Sequence, residues 1–455
     1  MLMRFSVSNY MSFGYNTNEN GDVIPTDYYL YAGKAEQHNE RVTPFGKRMV
    51  LKFSSIYGAN ASGKSNLIKA IDAGKHIILQ TMERLEFQKG FCRNKQENID
   101  KPTQFEYEFT IGEKCYAYGF TVNLEKRIVL SEWLYELEDK NEHVIFERLV
   151  DEQKYYFDEN LFHDEEQLQQ FHFFIKDANR INTTLLLHEI KRRGLKESEY
   201  EIFNQIYMWF RDKLVIIYPQ TMIGKSYDWF NNDNQELINI LRYFDTGITN
   251  YSMWKINETA FREYFNSETM ANRYFDELEK RKAKGQGKCI LKLNGTLLEL
   301  DYAKDENPII QKLMFQHGDD KYNYEYGEES DGTQRLIELL DVILNNAEDK
   351  VFVIDELDRS FHPQMTIKFV ETFLKYSNKS TQMIITTHES NLMDLKILRR
   401  DEIWFAEKEP DNSTKLYTLE KFKIRYDKVV SKNYLAGRYG AVPVFKDFEY
   451  VWGED

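Results

Sequence analysis

Gly58-Ala59-Asn60-Ala61-Ser62-Gly63-Lys64-Ser65 separates an apolar run, residues 50–57, from a stretch carrying Leu67, Ile68, Ala70, Ile71, Ile77 and Ile78. The run reads as a buried strand, and the spacing over residues 66–85 reads as a helix. A glycine-rich loop between strand and helix turns backbone N–H groups toward an anion, and the helix N-terminus adds a favourable field. The pattern is GxxxxGK[ST], so Lys64 is expected to reach the terminal phosphates of a nucleotide and Ser65 to offer its hydroxyl to Mg²⁺. Gly58, Asn60, Ala61, Ser62, Gly63 and Asn66 complete the expected nucleotide contacts. A chance glycine-rich turn would match the letters but not the strand–loop–helix setting.

Three further segments downstream have the residue types that such a loop needs. Val351-Phe352-Val353-Ile354 is an apolar strand ending in Asp355-Glu356. It would deliver Asp355 to the Mg²⁺ shell beside Ser65 and leave Glu356 as the base that polarises water. Alone, an apolar run ending in Asp-Glu is as often structural. Thr386-Thr387-His388 follows another apolar strand, Met383-Ile384-Ile385. A lone histidine after a strand is usually a surface residue, but this one stands where a switch histidine would touch the γ-phosphate.

Glu329-Ser330-Asp331-Gly332-Thr333-Gln334-Arg335 opens a helix. Ser330 or Asp331 would serve there as an ordinary N-cap. Just ahead of Asp355-Glu356, Ser330 and Gly332 also fit a signature that binds a second cluster of phosphate oxygens. Asp358 fits the loop that crosses to a partner subunit. Gln104, ahead of a strand, is a candidate on the metal side, although a lone Gln there more often serves structure.

The order phosphate loop, signature, Asp-Glu strand, switch histidine is that of ABC-like ATPases. The fold expected is therefore α/β: an ABC-type P-loop NTPase head, a mixed sheet with an antiparallel β subdomain and a mostly helical insertion. Residues 1–150 form the N-terminal lobe, where Phe105, Tyr107 and Phe109, then Tyr116, Tyr118 and Phe120, alternate like a meander. Residues 151–285 form the helical insertion, with helix-like spacing at 199–213 and dense charge at 275–284, ending in a basic loop over 282–288. Residues 286–455 form the C-terminal lobe, entered through strands joined at Asn294-Gly295, a two-residue hairpin signal.

Composition narrows the function classes. Across 455 residues, 60 Lys and Arg stand against 74 Asp and Glu, a net charge of −14, so any nucleic-acid contact must come from a local patch. Cys92, Cys115 and Cys289 form no CxxC pair, which argues against a structural zinc site or a disulfide framework. No run approaches the roughly 18–20 apolar residues of a membrane span. The N-terminus soon turns polar, unlike a signal peptide. A cytoplasmic protein without a membrane partner is expected.

The chain resembles the RloA-like ATPases of prokaryotic abortive-infection and anti-phage systems. The resemblance rests on Phe5-Ser6-Val7-Ser8-Asn9-Tyr10 with Ser12-Phe13, on Tyr57 through Asn66, and on Asp355-Glu356-Leu357-Asp358 with Phe361-His362-Pro363. It extends to Arg399-Arg400-Asp401-Glu402-Ile403-Trp404-Phe405 and to Gly437-Arg438-Tyr439-Gly440-Ala441-Val442-Pro443. It implies a head domain similar to those of SMC-like and RecF-like proteins, and a nearby gene for an effector, a Toprim-like or other nuclease subunit. Ser330-Asp331-Gly332-Thr333 departs from the transporter form of the signature, but Asp at its second position suits this family.

The expected function is an ATPase that binds and hydrolyses ATP with Mg²⁺ at an interface shared by two copies, in a dimer or a higher oligomer. In that role it is a sensor or scaffold controlling the effector, with DNA or a phage protein as the class of trigger. The alternative is a RecF/SMC-like DNA-binding repair ATPase. About 265 residues separate Lys64 from Ser330, many of them strand-like, too few for long coiled-coil arms. About 65 residues follow His388, without a DxD motif, too few for a nuclease domain of the chain's own.

Overall fold

The computed structural model describes residues 1–82, 90–139, 141–162, 164–193, 200–221, 235–283, 288–301, 309–318, 322–344, 349–423 and 429–443. Part of the expected first helix (83–85) and part of the basic loop (284–287) lie outside the described residues. The chain divides into two compact units, one of Met1–Tyr218, Asn346–Leu357 and Leu374–Asp455, the other of Pro219–Asn345 and Asp358–Phe373.

The first unit is built on two sheets. One has six strands in the order Leu214–Ile217, Val351–Ile354, Gln382–Thr386, Phe53–Tyr57, Ile403–Lys408, Thr414–Thr418. All neighbours are parallel except the last pair. Phe53–Tyr57, Val351–Ile354 and Gln382–Thr386 are buried at every position. A parallel strand covered on both faces has to be largely apolar, and Val351–Ile354 is wholly so. The apolar run 50–57 is not one strand: Arg48–Leu51 pairs with Val42–Phe45 in a separate hairpin, and the core strand starts only after Lys52.

The second sheet has seven antiparallel strands in the order Lys154–Phe157, Glu142–Leu149, Ile128–Leu137, Lys114–Asn123, Thr103–Ile111, Leu2–Ser8, Thr26–Tyr29. Its register sets Phe105 opposite Phe120, Tyr107 opposite Tyr118 and Phe109 opposite Tyr116. These rings join Leu67, Ile68, Ile71 and Ile77 of the helix Lys64–Leu79 in one core that also takes in Val351, Val353 and Ile384. Helices Glu165–Ile181, Leu186–Arg192 and Glu201–Met208 add Phe171, Ile190 and Phe203 to it. The helix-like spacing at 199–213 therefore resolves into a short helix followed by a π-helical turn, Trp209–Lys213.

A buried electrostatic turn precedes the strand Ile403–Lys408. Arg399, 1% exposed, donates to both carboxylate oxygens of Asp401 (2.9 and 2.7 Å), to Asn39 Oδ1 and to the Gln37 carbonyl. Glu402 accepts the Arg399 N–H at 2.7 Å, and burial pushes its carboxyl up to about 7.

The second unit has its own antiparallel sheet, in the order Ile248–Ile256, Ile309–His317, Thr296–Asp301, Lys288–Leu293. Leu298, Leu300 and Ile310 pack there with Phe261 and Leu278 of the helices Glu258–Arg262 and Glu268–Ala283. The helix Asp331–Leu344 belongs to this unit and buries Leu336, Leu339, Leu340 and Ile343. Among the described residues, no helix is long and apolar enough to cross a membrane.

Candidate functional site

Phe53–Tyr57 ends in the core sheet directly at Gly58, and the helix starts at Lys64. The helix N-cap is Gly63, with φ of 105° and no side chain to cap the first turn. The first N–H groups of a helix have no intrahelical acceptor, so here they stay open to an anion. A side chain at Gly63 is excluded twice: by the left-handed φ, and because a Cβ would lie 2.0 Å from Thr414 Oγ1. Asn60 and Ala61 are exposed at the tip of the loop, while Ser62 (2%) and Lys64 (7%) are buried. The Lys64 ammonium donates to the carbonyls of Gly58 (2.7 Å) and Ala59 (3.1 Å), which bends it back over the loop. The Ser62 hydroxyl is buried with no hydrogen-bond partner. A buried hydroxyl without a partner is costly. An uncapped helix, a folded-back lysine and an orphaned hydroxyl in one loop form a donor set that fits a polyphosphate.

The strand Val351–Ile354 brings Asp355 to this loop. Ser65 Oγ donates to Asp355 Oδ1 at 3.0 Å across 290 residues of sequence. Thr386 Oγ1 donates to the same Asp355 oxygen at 2.6 Å and accepts the Glu356 N–H at 2.8 Å. The Thr386 carbonyl takes the Leu357 N–H at 3.0 Å. In the sequence, Thr386 stands only as the first residue of Thr386-Thr387-His388, with no role of its own. The strand Gln382–Thr386 lies between the strands that carry the phosphate loop and Asp355, so its terminal threonine spans both. A serine hydroxyl and an aspartate carboxylate beside a phosphate loop suit a hard, oxygen-seeking cation such as Mg²⁺.

Glu356 is half-buried and has a left-handed backbone with φ of 50°. His388 is exposed two residues beyond Thr386. Tyr218, at the end of Leu214–Ile217, donates to Asp72 Oδ2 at 2.9 Å, and His76 Nδ1 lies 3.1 Å from Asp72 Oδ1. The hydrogen bond to Asp72 holds the His76 pKa above its ordinary value. Gln104 lies inside the antiparallel sheet, opposite Thr121 on one side and Ser8 on the other.

In the second unit, Ser330 Oγ accepts the Thr333 N–H at 3.1 Å and lies 2.9 Å from the Thr333 hydroxyl. Ser330 thus acts as the N-cap of Asp331–Leu344 while remaining exposed. A Cβ on Gly332 would come within 3.0 Å of the Ser360 carbonyl, so the glycine lets the two segments approach closely. Asp358 is half-buried and follows Leu357 directly.

No curated protein sequence matches this chain. Among solved structures, the chain is similar to an Smc head bound to the C-terminal winged-helix domain of ScpA, with 13% identity, TM-score 0.42, and 92% of this chain and 97% of that one covered. It is also similar to an SMC head domain from Thermotoga maritima, with 13% identity, TM-score 0.37, and 93% and 99% covered. A family model described as "AAA domain, putative AbiEii toxin, Type IV TA system" matches residues 53–203 and 245–394, well over half of the chain. These segments contain the phosphate loop, Asp355-Glu356 and His388, and the chain belongs to that AAA-domain family.

Proposed function

We propose that this protein binds and hydrolyses ATP with Mg²⁺, and does so at an interface between two copies. The observation that carries the reading is the Ser65–Asp355 bond, which closes the phosphate loop onto the end of the Asp-Glu strand. Mg²⁺, when bound, would supply positive charge against the negative charge that develops during transfer. Ser65 and Asp355 would hold it, the Ser65 hydroxyl and one Asp355 oxygen exchanging their mutual bond for the cation. Lys64 would leave the Gly58 and Ala59 carbonyls for the terminal phosphates. Glu356 would accept the proton of the attacking water as its oxygen bonds to the γ-phosphorus and the bond to the bridging oxygen breaks. His388 would meet the γ-phosphate oxygens, and Ser330 and Gly332 of a second copy would cover them from the other side, with Asp358 at the crossing.

The wider role we propose is that of an RloA-like sensor or scaffold in an anti-phage defence complex, in which nucleotide state holds or releases an effector such as a nuclease. The family description, with its reference to a toxin–antitoxin system, supports a partner of that kind. The core reading is tested by titrating ATP·Mg²⁺ into Lys64→Ala. Loss of at least about tenfold in affinity is expected, because a desolvated charge–phosphate contact disappears. Unchanged binding would overturn the assignment.

A further inference from the structure

We infer that Thr414, together with Ser12, is a positioning residue that holds the phosphate loop in its anion-binding shape. Thr414 opens the antiparallel edge strand of the core sheet, Thr414–Thr418, and Ser12 lies in the turn after Leu2–Ser8. Their side chains meet across 402 residues of sequence.

The Thr414 hydroxyl is the donor at the centre of these bonds. Thr414 has one hydroxyl proton and two neighbours, the Ser62 carbonyl at 2.9 Å and Ser12 Oγ at 2.7 Å. Thr414 Oγ1 is the donor toward both, its proton shared between the Ser62 carbonyl and Ser12 Oγ. Ser12 Oγ in turn accepts from the Asn66 side-chain amide at 2.8 Å. The result is a relay of four bonded groups, Asn66, Ser12, Thr414 and the Ser62 carbonyl, in which Ser12 Oγ accepts from both of its neighbours. The Thr414 N–H donates to the Ser12 carbonyl at 2.7 Å, which fixes the two clamping residues to each other.

The relay determines which way one peptide faces. C=O and N–H of a trans peptide point in opposite directions. Tying the Ser62 carbonyl to Thr414 therefore turns the Gly63 N–H away from Thr414, to the side where the loop takes phosphate. Gly63 lies against the clamp, with its absent Cβ 2.0 Å from Thr414 Oγ1 and 2.9 Å from Ser12 Oγ. Thr414 is 5% exposed, so no water replaces its hydroxyl when that is removed. Thr414 touches no phosphate and acts only through the Ser62 carbonyl.

The inference rests on ATP being the ligand of this loop. Thr414→Val keeps the shape and removes the hydroxyl; Thr414→Ser keeps the hydroxyl. For Thr414→Val, Kd for ATP·Mg²⁺ and KM should both rise at least about tenfold with kcat within about threefold of wild type, the pattern of lost uniform binding. Thr414→Ser should stay within about threefold throughout. A wild-type KM and Kd in folded Thr414→Val overturns the inference, and so does a lowered thermal midpoint with no change in KM. If Thr414→Val does not fold, Ser12→Ala breaks the relay one step earlier and should raise KM severalfold; an unchanged KM there overturns it. A wild-type chain that binds no ATP would overturn the ATP reading itself, and the two failures are thereby told apart.

Discussion

Glu356 has a backbone conformation that costs an L-residue roughly 1–2 kcal/mol, and the neighbouring bonds enforce it. Its N–H is held by the Thr386 hydroxyl and the next N–H by the Thr386 carbonyl. Such strain is tolerated where position matters more than stability. Glu356→Gln keeps that geometry and loses only the base. ATP binding should stay within about threefold of wild type while turnover falls by at least about a hundredfold. Calorimetry beside a phosphate-release assay measures both, and wild-type turnover would remove Glu356 from the chemistry.

At the scale of elements, the turn Arg399-Asp401-Glu402 leads into the strand that flanks the phosphate loop, with Ser55 Oγ donating to the Glu402 carbonyl at 3.2 Å. Burial lifts the Glu402 carboxyl from 4.5 to about 7, so the folded chain keeps a proton that the unfolded chain has released. Wild-type stability should therefore fall relative to Glu402→Gln as pH rises from about 4.5 to about 7, and level off above. The span is at most about 3 kcal/mol, readable by urea denaturation at pH 5 and pH 8. A pH-independent difference would mean that Glu402 titrates normally. Elements of both units show what the sequence could and could not display. Val351–Ile354, Gln382–Thr386 and Pro363–Tyr376 stand out because each has one clear period and a clean boundary. Leu214–Ile217 does not, since four apolar residues after a helical pattern look like the end of that helix. Ile248–Ile256 is hidden by a register shift between Ile248 and Asn250, which breaks its alternation. The hydroxyl bonds of Ser12, Thr386 and Thr414 are not legible locally, because their partners lie 30 to 402 residues away.

For the whole molecule, the shared-site reading makes a prediction that neither unit makes alone. Ser330→Arg leaves its own phosphate loop intact but would block the γ-phosphate bound by another copy. Lys64→Ala disables its own loop but keeps a normal Ser330. Each variant alone should hydrolyse little ATP, and a mixture should recover part of the wild-type rate, because a two-fold contact then contains one intact site. A phosphate-release assay on mixed, separately purified chains checks this. Ser330→Arg that turns over normally by itself would show that the signature takes no part. The connectivity of the core sheet also has a consequence for synthesis on the ribosome. Phe53–Tyr57 pairs with Gln382–Thr386 and Ile403–Lys408, both of which leave the ribosome some 330 residues or more after it. At roughly 5–20 residues per second, the first strand waits on the order of 15 to 60 s for both neighbours. Asp355 reaches Ser65 only late in that interval, and Thr414 later still. A nascent chain therefore carries the glycine-rich letters without the clamp that shapes them until Thr414 has emerged, and nucleotide binding should switch on only after that point.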